Sequence, residues 1–344
     1  MRPPSVPTDS GRRPPTLDEL PPPPPGRTGW PWTEPPRLLS SAAPGGRAWP
    51  PLSIVTPSYN QADFLEATIR SVLLQGYPAL DYIVIDGGST DSSRDIIQRY
   101  SPWLSSWVSE PDQGQSHAIN KGLARCTGEV FNWINSDDQL LPGALAEVAA
   151  LRLRTQAAML VGRGLIVDAR SGQVRHDWAG RPPRHPLDFI RPNRVVVAQP
   201  SAFLDTRLVR EVGGLREDLH CVLDWELYLR LTVSLRERLT TATTPALLSL
   251  ALYHPRSKTS SRRADFQAEG LRVLRALGPR LPVLERLRVA AYVRGVVTQS
   301  LVSEVWTANH RWQYLVGLLL QRPDAFWSRP YWGALRRLLV GTAP

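Results

Sequence analysis

Between Leu52 and Leu140 short β-branched and aromatic runs alternate with amphipathic stretches, which restricts the fold to βαβ units around a mainly parallel sheet. Leu52 to Thr56 reads as a first strand, and Asp63 to Leu74 as its helix, with Phe64, Leu65, Ile69, Val72 and Leu73 on one face. Asp81 to Asp86 predicts a second strand. Thr90 or Asp91 can cap a helix running to about Tyr100, and Trp107 to Ser109 is a short third strand. A helix near Ser116 to Ala124 leads into a fourth strand, Glu129 to Ile134, and Pro142 opens another helix at its favoured first-turn position. Farther on, Ala157 to Val174 has the pattern of a hairpin and Arg181 to Arg194 that of a loop. Leu223, Leu227 and Leu231 mark a helix within Glu217 to Val233.

The ends of the chain look different. Of 33 prolines, 16 fall in residues 1–51, including the run Pro21 to Pro25, so residues 1–49 are expected to form a disordered or polyproline-like tail. Trp30 and Trp32 give its end a means of packing onto the domain. Residues 255–344 carry 14 arginines and Lys258 against five acids, which accounts for the whole net charge of +10. Beyond Pro282 the pattern is helical, with Trp306, Trp312, Trp327 and Trp332 set among arginines. The expected organisation is therefore a tail over 1–49, a catalytic-type domain over 50–260 and a basic helical extension over 261–344. The domain itself falls into halves at 50–145 and 146–260.

At 344 residues with 42% hydrophobic positions the chain can bury a full core. Cys126 and Cys221 cannot make a disulfide framework, and no Cys/His spacing fits zinc. The first residues lack an apolar signal-peptide core and no apolar run approaches the ~20 residues of a membrane span, so the expectation is a soluble cytoplasmic protein in a reducing compartment. A P-loop and a GxGxxG opening the first helix are both missing, which counts against ATPases and dinucleotide enzymes. No nucleic-acid motif accompanies the basic charge, so no nucleic-acid partner is expected.

Ligands of open parallel sheets bind beyond the carboxyl ends of the strands, where loops and helix N-termini converge. Four segments fall on that edge: Thr56 to Asn60, Asp86 to Asp91, Pro111 to Gln115, and the Asp137-Asp138 pair. A tyrosine that can stack on a base, several carboxylates and glycines that admit close approach suit a nucleotide.

The segments SIVTPSYNQADFLEATIRSVLLQGYPALDYIVIDGGSTDSS, DQGQSHAINKGLARCTGEVFNWINSDDQLLPGAL and QPSAFLDTRLVREVGGLREDLHCVLDWELYLRL resemble glycosyltransferase family 2, over roughly residues 52 to 260. The resemblance implies a GT-A fold, a Rossmann-like α/β sheet flanked by helices, and an inverting transferase using a nucleoside diphosphate-sugar donor. It implies that Thr56, Tyr59, Asp86, Gly88 and Ser89 line the nucleoside pocket, with Asp86 facing the base. Asp112, Gln113 and Gly114 would lie near the sugar or nucleotide, with Asn120 and Lys121 following them. Asp137 and Asp138 match the family's cation-binding element, Asp138 as ligand and Asp137 as a contact to ribose or metal. Hard Mg²⁺ or Mn²⁺ prefers such oxygen ligands. Asp224 matches the catalytic base, while Glu226 suits an ion pair with Arg230 at i, i+4. His254, Arg256 and Lys258 match the segment that closes over the diphosphate, His254 as a further metal or phosphate contact. Gln199 and Trp225 either touch sugar or pack in the core. The acceptor would be a saccharide or a lipid-linked sugar, in polysaccharide or glycan synthesis. A polyprenyl-phosphate sugar synthase and a silent nucleotide-sugar-binding module remain open. So do two readings of the basic helical extension over 261–344, a peripheral contact with the inner membrane face or a cap on the domain.

Overall fold

The computed structural model describes residues 13–36, 39–40, 42–191, 194–258, 263–304, 315–316 and 329–340. Two units divide the chain, residues 1–266 and 267–344.

In the first unit β1 (Leu52–Ser58), α1 (Ala62–Leu73), β2 (Leu80–Asp86), α2 (Ser93–Tyr100), β3 (Ser106–Ser109), α3 (Gln115–Arg125) and β4 (Val130–Trp133) follow the sequence expectation within about two residues. They form a parallel block in the order β3-β2-β1-β4. All seven residues of β1 are buried, as a central strand covered on both faces requires. At Gly122 on α3 any β-carbon would collide with Val55 of β1, so the missing side chain sets how closely that helix approaches the sheet.

The second half turns the sheet from parallel to mixed. Its elements are β5 (Asp138–Leu140), α4 (Ala144–Thr155), β6 (Met159–Asp168), β7 (Val174–Trp178), β8 (Ala202–Asp205), α5 (Thr206–Glu211), α6 (Leu223–Leu235) and β9 (Thr241–Tyr253). The hairpin expected over 157–174 is β6 with β7 and ends four residues later, at Trp178. Strand β8 joins the halves, antiparallel to both β4 and β6. Neither β5 nor β9 stands out in the sequence, because β9 is only partly buried and β5 has three residues. They pair with each other, Asp138 opposite Ala251.

The proline-rich stretch is ordered over its described part and straps across α1. Leu20 and Trp32 are buried, and the Trp30 indole donates to the Leu140 carbonyl at 2.8 Å. The fully buried Arg70 of α1 holds the strap: its guanidinium donates to the carbonyls of Pro21 (2.7 Å), Pro31 (3.0 Å) and Trp32 (3.1 Å), and to the Tyr100 hydroxyl (3.1 Å). Tyr100 in turn donates to Glu66, so the cation has an acid within its network. The described part of the stretch expected to be disordered or polyproline-like packs onto the domain through Trp30 and Trp32, and carbonyls that prolines leave without partners are what a buried guanidinium needs. Residues 1–12 lie outside the described residues.

The second unit is helical, with α7 (Arg263–Leu277) reaching into it, then α8 (Val283–Glu304) and α9 (Arg329–Val340). Trp306, Trp312 and Trp327 lie outside the described residues. Among the described residues no helix is long and apolar enough to cross a membrane.

Replacing Arg70 by Met leaves several buried carbonyls without a donor and is expected to cost about 3 kcal/mol of unfolding free energy in a urea titration. Arg70→Lys recovers only part of it, since one ammonium cannot reach all the partners of a guanidinium fork.

Candidate active site

A cleft of about 830 Å³ opens beyond the carboxyl ends of β1 to β4. Its walls come from the loop after β1 (Pro57, Ser58, Tyr59), the glycines after β2, the 111–115 turn, the 133–138 segment, the start of α6 and the segment after β9. Asp112, Asp137, Asp138 and Asp224 line it, as do Arg256 and Lys258.

The acid pair is placed by strand pairing. Because β5 runs antiparallel to β9 with Asp138 opposite Ala251, the residues just before Asp138 meet those just after Ala251. His254 Nε2 thus lies 3.1 Å from Asp137 Oδ2. From α1, the Thr68 hydroxyl donates to the carbonyls of Ser136 (2.9 Å) and Asp138 (2.7 Å), and Ser71 Oγ accepts from the Leu140 amide. The His254 ring stacks on Phe64 of α1 at 4.4 Å between centroids. Asp138 is buried, and desolvation together with the Asp137 charge holds its carboxyl well above the usual range, although Asn135 donates to it at 2.8 Å. Such a pair suits a divalent cation, which offsets both charges. Among the described residues no three His, Cys, Asp or Glu side chains form a ready cage. That fits a cation taking most of its oxygen ligands from diphosphate and water, as Mg²⁺ commonly does.

The second acid stands apart. Asp224 sits in the first turn of α6 and accepts from the Trp225 amide at 2.8 Å. It is half-buried but faces the cleft interior, and loss of solvation pushes its pKa up. Glu226 forms the expected pair with Arg230, 2.8 Å apart, and Arg230 also donates to the carbonyls of Val212 and Gly214. Trp225 packs edge-on against Phe189 at 5.4 Å and does not line the cleft.

Of the residues singled out in the sequence, the cleft brings together Tyr59, Gly88, Asp112, Gly114, Asp137, Asp138, Asp224, Arg256 and Lys258, along with Gln199. Tyr59 is 61% exposed, its ring free to stack. Asp112 sits beside Gly87, where a β-carbon would come within 2.7 Å of its carboxylate. Arg256 pairs with Asp63, and Lys258 donates to Gln115 Oε1 (2.6 Å) and the His220 carbonyl (3.1 Å).

Others do not line it. Thr56 is fully buried and shares a hydrogen bond with the Tyr82 hydroxyl, so the wall passes to its neighbours Pro57 and Ser58. Asp86 accepts from the Gly88 and Ser89 amides and from the hydroxyls of Ser89 and Ser109; it folds the loop and does not face an open pocket. Gln113 is exposed outside the cleft. Asn120 binds Leu215 and Glu217, and Lys121 pairs with Glu110 at 2.8 Å. His254 is not among the lining residues and stands behind Asp137, which is.

Sequence reasoning passed over the amides that join the site. Gln115 Nε2 donates to Asn135 Oδ1 at 2.7 Å, so Lys258, Gln115, Asn135 and Asp138 form one hydrogen-bonded chain. Both amides stand inside the DQGQ and NSDD strings. Having no charge of their own, they give no titration signal to mark them.

The family model for glycosyl transferase family 2 matches residues 53–213. An uncharacterized glycosyltransferase of Mycobacterium tuberculosis is 33% identical over 184 residues, 53% of this chain and 68% of that one. A Bacillus subtilis glycosyltransferase assigned to teichuronic acid biosynthesis, TuaG, is 40% identical over 95 residues, 26% of this chain and 38% of its own. In fold, the chain resembles residues 1–349 of S. aureus TarS crystallised with UDP-GlcNAc, with a TM-score of 0.55 at 17% identity over 71% of this chain and 72% of that TarS fragment. The sheet, the cleft and these likenesses define a sugar-transferring enzyme of GT-A fold. The chain belongs to glycosyltransferase family 2.

Desolvation of Asp224 makes a prediction with a definite sign. A carboxyl whose folded pKa is raised costs stability wherever it is ionised in the folded state, and the cost shrinks as pH falls below that raised value and is gone below the unfolded-state pKa. Asp224→Asn should therefore raise the melting temperature at neutral pH, with the gain shrinking toward pH 4 to 5, as measured by thermal unfolding across pH.

Proposed function

We propose that this cleft moves a sugar from a nucleoside diphosphate donor to a hydroxyl of a saccharide or lipid-linked acceptor, with inversion at the anomeric carbon. The observation that carries the reading is that a desolvated, isolated carboxylate and a paired set of carboxylates line one cleft from separate elements. That division of labour is what a single displacement needs. Asp224 accepts the proton of the acceptor hydroxyl as its oxygen attacks the anomeric carbon. The bond from that carbon to the diphosphate breaks on the opposite side, and its electron pair leaves with the nucleoside diphosphate. Tyr59 would stack on the base, the Gly87-Gly88 backbone would admit the ribose, and Arg256 and Lys258 would meet the phosphates. A divalent cation held by Asp138 and Asp137, with His254 behind Asp137, would offset charge on the departing diphosphate. The naming of TuaG for teichuronic acid synthesis supports a role in polysaccharide assembly.

A thermal-shift panel of UDP, GDP, dTDP and CMP with and without Mn²⁺ tests the donor half, since a ligand of the native state raises the melting temperature. One diphosphate should give a Mn²⁺-dependent shift that Asp138→Ala removes. For the transfer half, Asp224→Asn should keep that shift while slowing donor turnover about 10²- to 10⁴-fold. Full turnover in both variants would refute these site assignments. A donor that binds without even slow hydrolysis would mark a silent binding module.

A further inference from the structure

Within the second unit, α7 and α8 flank a groove of about 350 Å³. Its floor is apolar, built from Leu274, Val289 and Val293, all buried. Three arginines stand around it, Arg275, Arg286 and Arg294. Their side chains make no ion pair or hydrogen bond among the described residues. Beside Arg286, at the start of α8, Val283, Leu284 and Leu287 are 63%, 72% and 56% exposed.

Water satisfies a guanidinium but not an isobutyl group, so a partner that stabilises this face must be anionic and apolar at once. Nucleic acid would meet only the cations. A second copy of the chain would bring like charges together, since residues 267–344 hold eleven arginines against four acids. An anionic bilayer meets both demands: aliphatic side chains enter the headgroup boundary while arginines meet lipid phosphate. We infer that the start of α8 and the α7–α8 groove dock the enzyme on an anionic phospholipid surface, a lipid phosphate seating among Arg275, Arg286 and Arg294 over the apolar floor. This inference is independent of the transfer chemistry, because none of these residues lines the catalytic cleft.

Flotation of the full chain with vesicles tests it, using equal parts phosphatidylglycerol and phosphatidylcholine against phosphatidylcholine alone. The wild type should float with the anionic vesicles only. Arg286→Glu/Arg294→Glu should weaken binding by roughly fivefold or more per charge, whereas Arg170→Glu/Arg184→Glu, an equal charge change on exposed loops of the first unit, should not. Leu284→Ser/Leu287→Ser should abolish the part of binding that survives high salt. Circular dichroism and melting temperature confirm that each variant is folded, and donor hydrolysis should stay at the wild-type rate in all of them. The inference is overturned by no flotation, by equal flotation with both vesicles, or by charge-reversed chain floating like wild type. Displacement by inorganic phosphate or DNA with the leucine pair silent would mean a polyanion site instead. A dimer lost in the leucine variant would mean a self-association face, and also overturns it.

Discussion

Three residues of β5 paired to the end of β9 carry the rest of the site. A strand that short does not hold its place alone. Here it is fixed from all sides: by β9 across the ladder, by Thr68 and Ser71 of α1 from below, and by the Trp30 indole at Leu140. Burying Asp138 beside the partly exposed Asp137 opposes folding, and these neutral hydrogen bonds to backbone keep the pair in place against that repulsion. The same pairing delivers His254, and after it Arg256 and Lys258, to the cleft. Residues distant in sequence thereby meet without either segment being specified locally.

The parallel half was legible because each strand is a buried β-branched run followed by an amphipathic helix, a signal contained within about 30 residues. Its edge loops were equally plain, and most of the residues picked from them do line the cleft. What could not be read was orientation at the strand ends. Thr56 and Pro57 differ by one position, yet the side-chain alternation of a strand turns one into the core and leaves the other at the wall. Asp86 shows a second limit: a carboxylate at a loop start can bind ligand or fold the loop, and only the structure shows that Asp86 accepts from the amides of Gly88 and Ser89. Strands β8 and β9 and the strap escaped because their pairing partners are remote, and β8 is only four residues long while β9 is only partly buried, so no period marks them.

Two kinds of acid environment share one cleft. Asp138 is disfavoured as an anion by burial and by its neighbour, a burden that a cation can lift. Asp224 is disfavoured by burial without a charged neighbour among its causes, and that strengthens its appetite for a proton. Glu226, two residues away, is tied to Arg230 and is kept out of the chemistry by that bond. In the proposed reaction the difference between cation ligand and base is thus set by surroundings, not by residue type.

The family pattern begins at Ser53, yet the carbonyls that complete the back of α1 begin at Pro21. A part of the fold outside the family match therefore finishes a helix inside it. Since that helix holds the carboxylate pair through Thr68 and Ser71, changes in the strap can retune the reactive centre while every cleft residue stays the same. The proline-rich stretch is then a place from which the cleft can be adjusted without touching the segment that carries the family pattern.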